Sequence, residues 1–145
     1  MIVNIYPYLT MNGNGQEAIK FYENTLNAKV LNVQTFGDMP ENPESPPMSE
    51  EAKSRVLNAH LQVGDTDLMI SDTFPGPHEG AYQLGSQVTI AITINNVETS
   101  KEVFEKLLED GQEIMALQET FWSPLYGQVT DKFGVTWQVS TNLNI

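Results

Sequence analysis

The sequence predicts an α+β protein made of two βαβββ modules. Apolar residues alternate along some segments and recur at helical spacing along others, and the order strand, helix, strand, strand, strand occurs twice. The segments QVGDTDLMIS (62–71) and QVTDKFGVTWQVS (128–140) are also similar to each other. At 145 residues the chain is long enough to bury one apolar core without disulfides. We therefore interpret it as an internal duplication within a single domain.

Module one is assigned to residues 1–72. Residues 2–10 alternate between apolar and polar side chains, which predicts a half-buried strand. After the break MNGNG, residues 16–27 are predicted to form a helix, because their apolar residues lie at helical spacing: Ala18, Ile19, Tyr22 and Leu26. Gly13 and Gly15 in the break are too sparse to cradle a phosphate and indicate a turn. Three further strands are predicted at 30–36, 56–63 and 68–71, the last two joined by the turn GDTD.

An insertion separates the second and third strands of module one. Residues 37–54 contain four prolines and five acidic side chains, with no periodic apolar face. A segment of this composition cannot bury enough apolar surface to offset the entropy lost when it is ordered. We expect a solvated loop that the fold does not require.

Module two is assigned to residues 87–145, after a connector at 73–86. Residues 88–94 alternate strictly and predict a strand. A helix is predicted over 98–110, because its apolar residues are spaced about one turn apart: Val103, Phe104, Leu107 and Leu108. Gly111 lies where a left-handed residue would end this helix. Three strands complete the module, at 113–117, 128–130 and 135–140.

The composition excludes several classes of function. The chain has no Cys, which rules out thiol nucleophiles, thiolate metal sites and CxxC redox motifs. Its 7 Lys and Arg against 19 Asp and Glu give a net charge of −12, which would repel nucleic acid and anionic membranes. We find no signal sequence and no stretch of about 18 apolar residues, and expect a cytoplasmic protein. The two histidines are His60 and His78, and His78 is expected in an exposed loop.

Three stretches are more specific than periodicity, at 13–30 (GNGQEAIKFYENTLNAKV), 68–72 (LMISD) and 119–140 (ETFWSPLYGQVTDKFGVTWQVS). They resemble the PhnB-like branch of the vicinal oxygen chelate superfamily, which includes glyoxalase I, bleomycin-resistance proteins and extradiol dioxygenases. The resemblance covers nearly the whole chain. It implies two βαβββ modules that form one curved-sheet, bowl-like domain, commonly in a homodimer, with ligands bound in the bowl. Some relatives carry the label demethylubiquinone methyltransferase, but the chain lacks the glycine loop of a nucleotide-like methyl-donor site.

The resemblance also implies a divalent metal site, held by one side chain from the first and last strand of each module. Aligned on the DKFG turn, these positions fall at or near Tyr8 (or Pro7), Met69, Thr89 and Gln138. In the superfamily they are drawn from His, Glu and sometimes Gln. A phenol, a thioether, a hydroxyl and a neutral amide do not make a site for Zn, Ni, Fe or Mn. We therefore expect no metal and no other cofactor.

Six residues are candidates for binding a small-molecule ligand in the bowl: Tyr6, Tyr8, His60, Thr89, Trp122 and Gln138. His60 lies on the polar side of its strand and could act as acid, base or hydrogen-bond donor, or could be a half-exposed or internally bonded strand histidine. Trp122 could form a pocket wall, or could pack in the core or in a dimer interface. Trp137 and Gln138 alternate, and we expect Gln138 to face the bowl and Trp137 the helices.

Two functions remain open. The first is a small-molecule binding protein with a degenerate metal site, favoured because the metal ligands are missing while a polar strand face remains. The second is a lyase, isomerase or dioxygenase that uses the same bowl, with His60 as acid, base or metal ligand. We also expect a homodimer, because the family resemblance implies one and because Trp122 and Tyr126 are expected on the surface of module two.

Overall fold

The computed structural model describes residues 1–75 and 82–145, which form two compact units, Met1–Tyr82 and Gln83–Ile145. Each unit contains one four-stranded mixed sheet and follows the main order strand, helix, strand, strand, strand. The predicted α+β class and βαβββ modules are thereby confirmed. His78 lies outside the described residues. No helix in the described part of the chain has the length and apolar character needed to cross a membrane.

Unit one contains the predicted helix and hairpin. Its elements are β1 (Tyr8–Met11), α1 (Gly15–Thr25), β2 (Lys29–Thr35), a 3₁₀ turn (Phe36–Asp38), α2 (Glu50–Ser54), β3 (Val56–Val63) and β4 (Thr66–Asp72). The sheet order is β1-β4-β3-β2, in which β1 and β4 are parallel and the other pairs are antiparallel. Helix α1 contacts all four strands of this sheet, and its buried apolar residues include Ala18, Ile19 and Tyr22.

The first strand is shorter than predicted. It begins at Tyr8 instead of residue 2, and the apolar side chains that precede it are almost fully exposed: Ile2, Val3 and Ile5. Pro7 explains this limit. Its carbonyl oxygen accepts a hydrogen bond from the Met69 amide (3.1 Å), but its nitrogen carries no hydrogen to donate to β4. The ladder between β1 and β4 therefore ends at this proline.

The insertion is not entirely a loop. Residues Glu50–Ser54 form α2, and the Ser49 side-chain oxygen caps this helix by accepting a hydrogen bond from the Ala52 amide (3.1 Å). Ala52 is buried, and so is Phe36 just before the insertion. The expectation of a loop over 37–54 is thus wrong for its last five residues, because so short a helix has no periodic apolar face to reveal it.

Unit two repeats the topology of unit one. Its elements are β5 (Ile90–Ile94), α3 (Val97–Leu108), β6 (Gln112–Gln118), β7 (Tyr126–Thr130) and β8 (Thr136–Thr141). The sheet order is β5-β8-β7-β6, with β5 parallel to β8 and the other pairs antiparallel. This order corresponds strand for strand to that of unit one, which confirms the duplication inferred from the sequence.

The helix of unit two ends differently from the prediction. The left-handed residue is Asp110 (φ 56°), and the Gly111 amide that follows it donates to the Leu108 carbonyl oxygen (2.8 Å). Gly111 is needed for another reason, since a Cβ at this position would collide with the carbonyl oxygen of Thr130 on β7. The glycine therefore permits the close approach of two chain segments.

Candidate functional site

The sheet of unit one has a buried face and a polar face. The buried face includes Ala59 and Leu61 of β3 and Leu68 and Ile70 of β4. Because side chains alternate along a strand, the residues between them point to the opposite side. The register sets His60 opposite Met69 and Gln62 opposite Asp67. We call this side the polar face of unit one; its side chains are Tyr8, Asn58, His60, Gln62, Asp67 and Met69.

Tyr8, Met69 and His60 form a row across this polar face. Met69 is the register partner of Tyr8 on β1 and of His60 on β3. The Tyr8 hydroxyl oxygen accepts a hydrogen bond from the Asn58 Nδ2 (3.1 Å). Tyr6, the other tyrosine predicted here, precedes β1 and is 42% exposed. The structure therefore brings Tyr8 and His60 onto one face, while Tyr6 lies outside the sheet.

His60 has a carboxylate partner that sequence reasoning missed. Its Nε2 lies 2.7 Å from the Asp67 Oδ1 across the β3–β4 hairpin, and the two side chains are 35% and 32% exposed. If the imidazole is neutral, Nε2–H donates to the carboxylate and Nδ1 carries the lone pair. The sequence signal for this contact was the hairpin turn GDTD, because the turn fixes the register that brings Asp67 of β4 beside His60.

Unit two carries a chain of hydrogen bonds on the corresponding face. The Gln138 Nε2 donates to the Thr89 Oγ1 (2.8 Å), and the Gln138 Oε1 accepts from the Tyr126 hydroxyl (2.5 Å). The same tyrosine oxygen accepts from the Gln128 Nε2 (3.1 Å). The structure thus brings the predicted candidates Thr89 and Gln138 together, and it adds Tyr126 and Gln128 to them. Both ends of the Gln138 amide are engaged within the protein.

Tyr126 is not the surface aromatic that we expected. It is 7% exposed, because its hydroxyl is bonded within the sheet and its ring contacts that of Trp122 (centroids 5.2 Å apart). Trp122 itself is 56% exposed, and neighbouring Phe121 is 97% exposed. Of the two aromatics named for a dimer surface, only Trp122 remains accessible.

Trp137 and Gln138 lie on opposite sides of β8, as their alternation predicts. Trp137 is 2% exposed and its Nε1 donates to the Asp131 Oδ2 (2.8 Å). The other oxygen of this carboxylate, Oδ1, accepts from the amides of Phe133 (2.9 Å) and Val135 (3.1 Å). Asp131 of the DKFG turn therefore has a structural role. By fixing Trp137 on the buried side of β8, it leaves Gln138 on the polar side of the sheet.

The glycines of the MNGNG break bind a carboxylate of the protein itself. The Asp72 Oδ1 accepts hydrogen bonds from the amides of Gly13 (2.8 Å) and Gly15 (2.9 Å), and its Oδ2 accepts from the Val56 amide (2.8 Å). Gly13 has a φ of 99°, which confirms the predicted turn. The amides that could have cradled an external anion are therefore occupied by Asp72, which is buried.

A tyrosine lies near this buried carboxylate. The Tyr82 hydroxyl donates to the Thr10 carbonyl oxygen (2.6 Å). Burial, and secondarily the negative charge of Asp72, raise the pKa of the Tyr82 phenol above its ordinary value of 10.0. The phenol therefore stays neutral over a wider pH range than an exposed tyrosine.

The chain is similar to known proteins over nearly its whole length. Residues 7–139 match the model of the Glyoxalase/Bleomycin resistance protein/Dioxygenase superfamily. The chain belongs to this superfamily. Protein YjdN of Escherichia coli, a relative from this comparison, is 34% identical over 139 residues, which cover 92% of each chain.

Solved structures share the superfamily fold of this chain. Protein PA1353 from Pseudomonas aeruginosa has 33% identity and a TM-score of 0.77, over 97% of this chain and 98% of that one. A PhnB protein from Bacillus cereus has 22% identity and a TM-score of 0.74, over 97% and 100%. FosX, a fosfomycin resistance protein of Listeria monocytogenes solved with Mn(II) and a dihydroxypropylphosphonic acid, has 12% identity and a TM-score of 0.64, over 98% and 94%. Because the last two proteins are less than 25% identical to this chain, their likeness concerns the fold alone.

The four residues that the family resemblance assigns to the superfamily's metal positions do not fit a transition-metal ion. They are Tyr8 and Met69 in unit one, and Thr89 and Gln138 in unit two, where the Gln138 amide already bonds at both ends. Within residues 1–75 and 82–145, no three or more His, Cys, Asp or Glu side chains cluster as a metal site would require. Such ions need several imidazole or carboxylate donors. These four side chains offer neither.

Proposed function

We propose that this protein is a small-molecule binding protein of the vicinal oxygen chelate type with a degenerate metal site. The observation that carries the proposal is the hydrogen-bonded chain of Thr89, Gln138 and Tyr126. Its side chains are neutral, and the family resemblance aligns Thr89 and Gln138 with metal ligands of the superfamily. Neutral polar side chains on a strand face suit the recognition of an organic ligand through a few hydrogen bonds better than they suit the binding of a metal ion. Superfamily membership supports a small-molecule site of this kind.

A metal titration tests this proposal. A ligand that binds only the folded protein stabilises it by RT ln(1 + [L]/Kd), about 2.7 kcal/mol at a hundredfold excess over Kd. We expect Ni²⁺, Zn²⁺, Mn²⁺ and Co²⁺, each at about a hundredfold excess over a micromolar Kd, to leave the melting temperature nearly unchanged. A stoichiometric metal that survives dialysis, and that is lost in His60→Ala or Gln138→Ala, would contradict the proposal.

One observation favours an enzymatic alternative, a lyase, isomerase or dioxygenase that uses the polar faces of the two sheets. The 2.7 Å contact between His60 and Asp67 orients an imidazole beside a carboxylate, and this arrangement suits a general base. Asp67→Asn keeps the shape of the partner but removes its charge. If the protein is such an enzyme, turnover of any identified substrate should fall in His60→Ala and in Asp67→Asn, whereas a binding role predicts no turnover to lose.

We further propose that the protein is a cytoplasmic homodimer. The support is the family resemblance and the exposure of large apolar side chains in unit two, where Leu84, Val88 and Ile114 are all at least half exposed. Isologous pairing of two copies would bury such a surface. Light scattering at micromolar concentration should return twice the mass of one chain, and a monomer mass would refute this arrangement.

A further inference from the structure

A pocket of about 520 Å³ lies in unit two, beside the C-terminal end of β8. Its apolar walls are Trp122, Pro124 and Leu143, and its polar wall includes Thr93, Ser140 and Asn142. The polar wall continues the sheet, because Thr93 of β5 and Ser140 of β8 are register partners. No ionisable side chain is among the described residues that line the pocket. Of the six candidate ligand residues, Trp122 lines this pocket.

The indole of Trp122 is held in place yet remains accessible. Its ring makes edge contacts with Phe121 (centroids 4.8 Å apart) and Tyr126 (5.2 Å), while 56% of the residue is exposed. The Tyr126 ring is itself held in place, because its hydroxyl donates a hydrogen bond to the Gln138 Oε1. An aromatic side chain that is already ordered loses little conformational entropy when a ligand stacks on it.

The loop that carries Trp122 is tied to β8 by the next residue. Ser123 is buried, and its Oγ accepts a hydrogen bond from the Thr141 amide (3.0 Å). The Ser123 hydroxyl also acts as a donor. Two carbonyl oxygens lie within its reach, those of Leu125 (2.8 Å) and Thr141 (3.0 Å). The aromatic wall and the polar wall of the pocket are therefore joined by hydrogen bonds, and the pocket is formed before any ligand arrives.

We propose that this pocket binds a neutral, planar aromatic compound with hydrogen-bonding groups along one edge. A flat apolar ring suits stacking on the indole of Trp122, with Leu143 and Pro124 completing the apolar surface. The hydroxyls of Thr93 and Ser140 bond to no other side chain of the described residues, so they can serve the polar edge of the ligand. The absence of a cationic side chain from the described lining, and the net charge of −12, disfavour an anion. This inference rests on the proposed function, since it names the ligand class of a binding protein.

The probe for this inference is 2-naphthol, a neutral planar ring with one hydroxyl, titrated into the ¹⁵N-labelled protein. We expect it to shift the amide resonances of Thr93, Ser140 and Leu143 and the indole resonance of Trp122. Two comparators separate the claims: 2-naphthoate carries a negative charge, and decahydro-2-naphthol is not planar. We expect each comparator to bind at least about tenfold more weakly. Equal affinity for either comparator refutes the corresponding part of the ligand class.

Variants locate the binding. Trp122→Ala should weaken 2-naphthol binding about tenfold or more, Trp122→Phe should restore most of it, and Ser140→Ala should weaken it about threefold. The matched control is Phe74→Ala, which removes an aromatic side chain of unit one that is 68% exposed and is not among the residues that line the pocket. If Phe74→Ala weakens binding as much as Trp122→Ala, the probe only adheres to exposed rings and the inference is refuted.

The location of the shifts separates this inference from the proposed function. If 2-naphthol shifts the resonances of His60, Thr89 or Gln138 and leaves Ser140 and Leu143 unchanged, the pocket assignment is wrong while small-molecule binding stands. If no resonance of the pocket moves, the pocket assignment is likewise refuted. The proposed function fails by a different result, the retention of a stoichiometric metal after dialysis.

Discussion

Replacing Asp72 by Asn should destabilise unit one more than any surface substitution. The Asp72 carboxylate is 5% exposed and accepts three backbone hydrogen bonds, two at Oδ1 from Gly13 and Gly15 and one at Oδ2 from Val56. It thereby joins the loop before α1 to the start of β3. An asparagine can keep its oxygen toward the two glycines, but its NH₂ group then faces the Val56 amide.

The cost follows from these contacts. A hydrogen bond to a charged group contributes about 1.5–3 kcal/mol, and a buried donor without an acceptor costs about 1–3 kcal/mol. The amide of asparagine is easier to bury than a carboxylate, which offsets part of this loss. We expect Asp72→Asn to lower the free energy of unfolding by about 2–4 kcal/mol. For a chain of this size, that corresponds to a decrease of about 5–15 °C in melting temperature.

The assay must report on unit one. Both tryptophans, Trp122 and Trp137, lie in unit two, so their fluorescence does not report on the substitution site. Urea unfolding followed by circular dichroism, together with amide hydrogen exchange of β3 and β4, gives the required readout. The matched control is Asp65→Asn in the exposed hairpin turn, which should change stability by less than about 0.5 kcal/mol. An effect of Asp72→Asn as small as that of the control would refute this account of the buried carboxylate.

Three further predictions concern unit one and the helix of unit two. Burial raises the folded-state pKa of Tyr82, so the neutral phenol stabilises the fold fully below pH 10.0, and this stabilisation is lost as pH rises through the raised pKa. Urea unfolding at high pH should therefore show a smaller loss of unfolding free energy in Tyr82→Phe than in the unchanged protein. Replacing residues 40–47 with a Gly-Ser linker should leave cooperative unfolding intact, whereas replacing Glu50–Ser54 in the same way should lower the melting temperature, since that segment buries Ala52. Gly111→Ala should cost about 2–3 kcal/mol, because its methyl group meets the β7 backbone, while Gly85→Ala, with no atom within 4 Å of the added Cβ, should be nearly neutral in the same chemical denaturation.

The sequence predicted elements well where local periodicity and local turn chemistry decide the structure. Strand β3 was predicted at its observed bounds, Val56–Val63, because alternation continues until the GDTD turn. Prediction from the sequence failed where one residue interrupts a pattern, as at Pro7. It also failed where an element is too short to show a periodic apolar face, as in α2. Capping by Ser49 was the remaining signal for that helix.

The candidate site was only partly predictable, because its contacts join residues far apart in sequence. That Gln138 lies on the polar side and Trp137 inside follows from alternation within one strand. That Gln138 bonds Thr89, 49 positions away, depends on the parallel pairing of β5 with β8, which no local pattern encodes. The burial of Asp72 depends likewise on contacts with Gly13 and Gly15 across the fold. Asp67 beside His60 was within reach, since both belong to one hairpin.

The most direct test of the central claim is a titration of the ¹⁵N-labelled protein with Mn²⁺, whose unpaired electrons broaden nearby amide resonances. The claim is that the superfamily's metal positions here carry neutral side chains that cannot hold an ion. We predict that one equivalent of Mn²⁺ broadens only exposed acidic segments, and does so weakly. Selective broadening of the amides of Tyr8, Met69, Thr89 and Gln138 at one equivalent would contradict the claim and favour the metal-dependent enzyme.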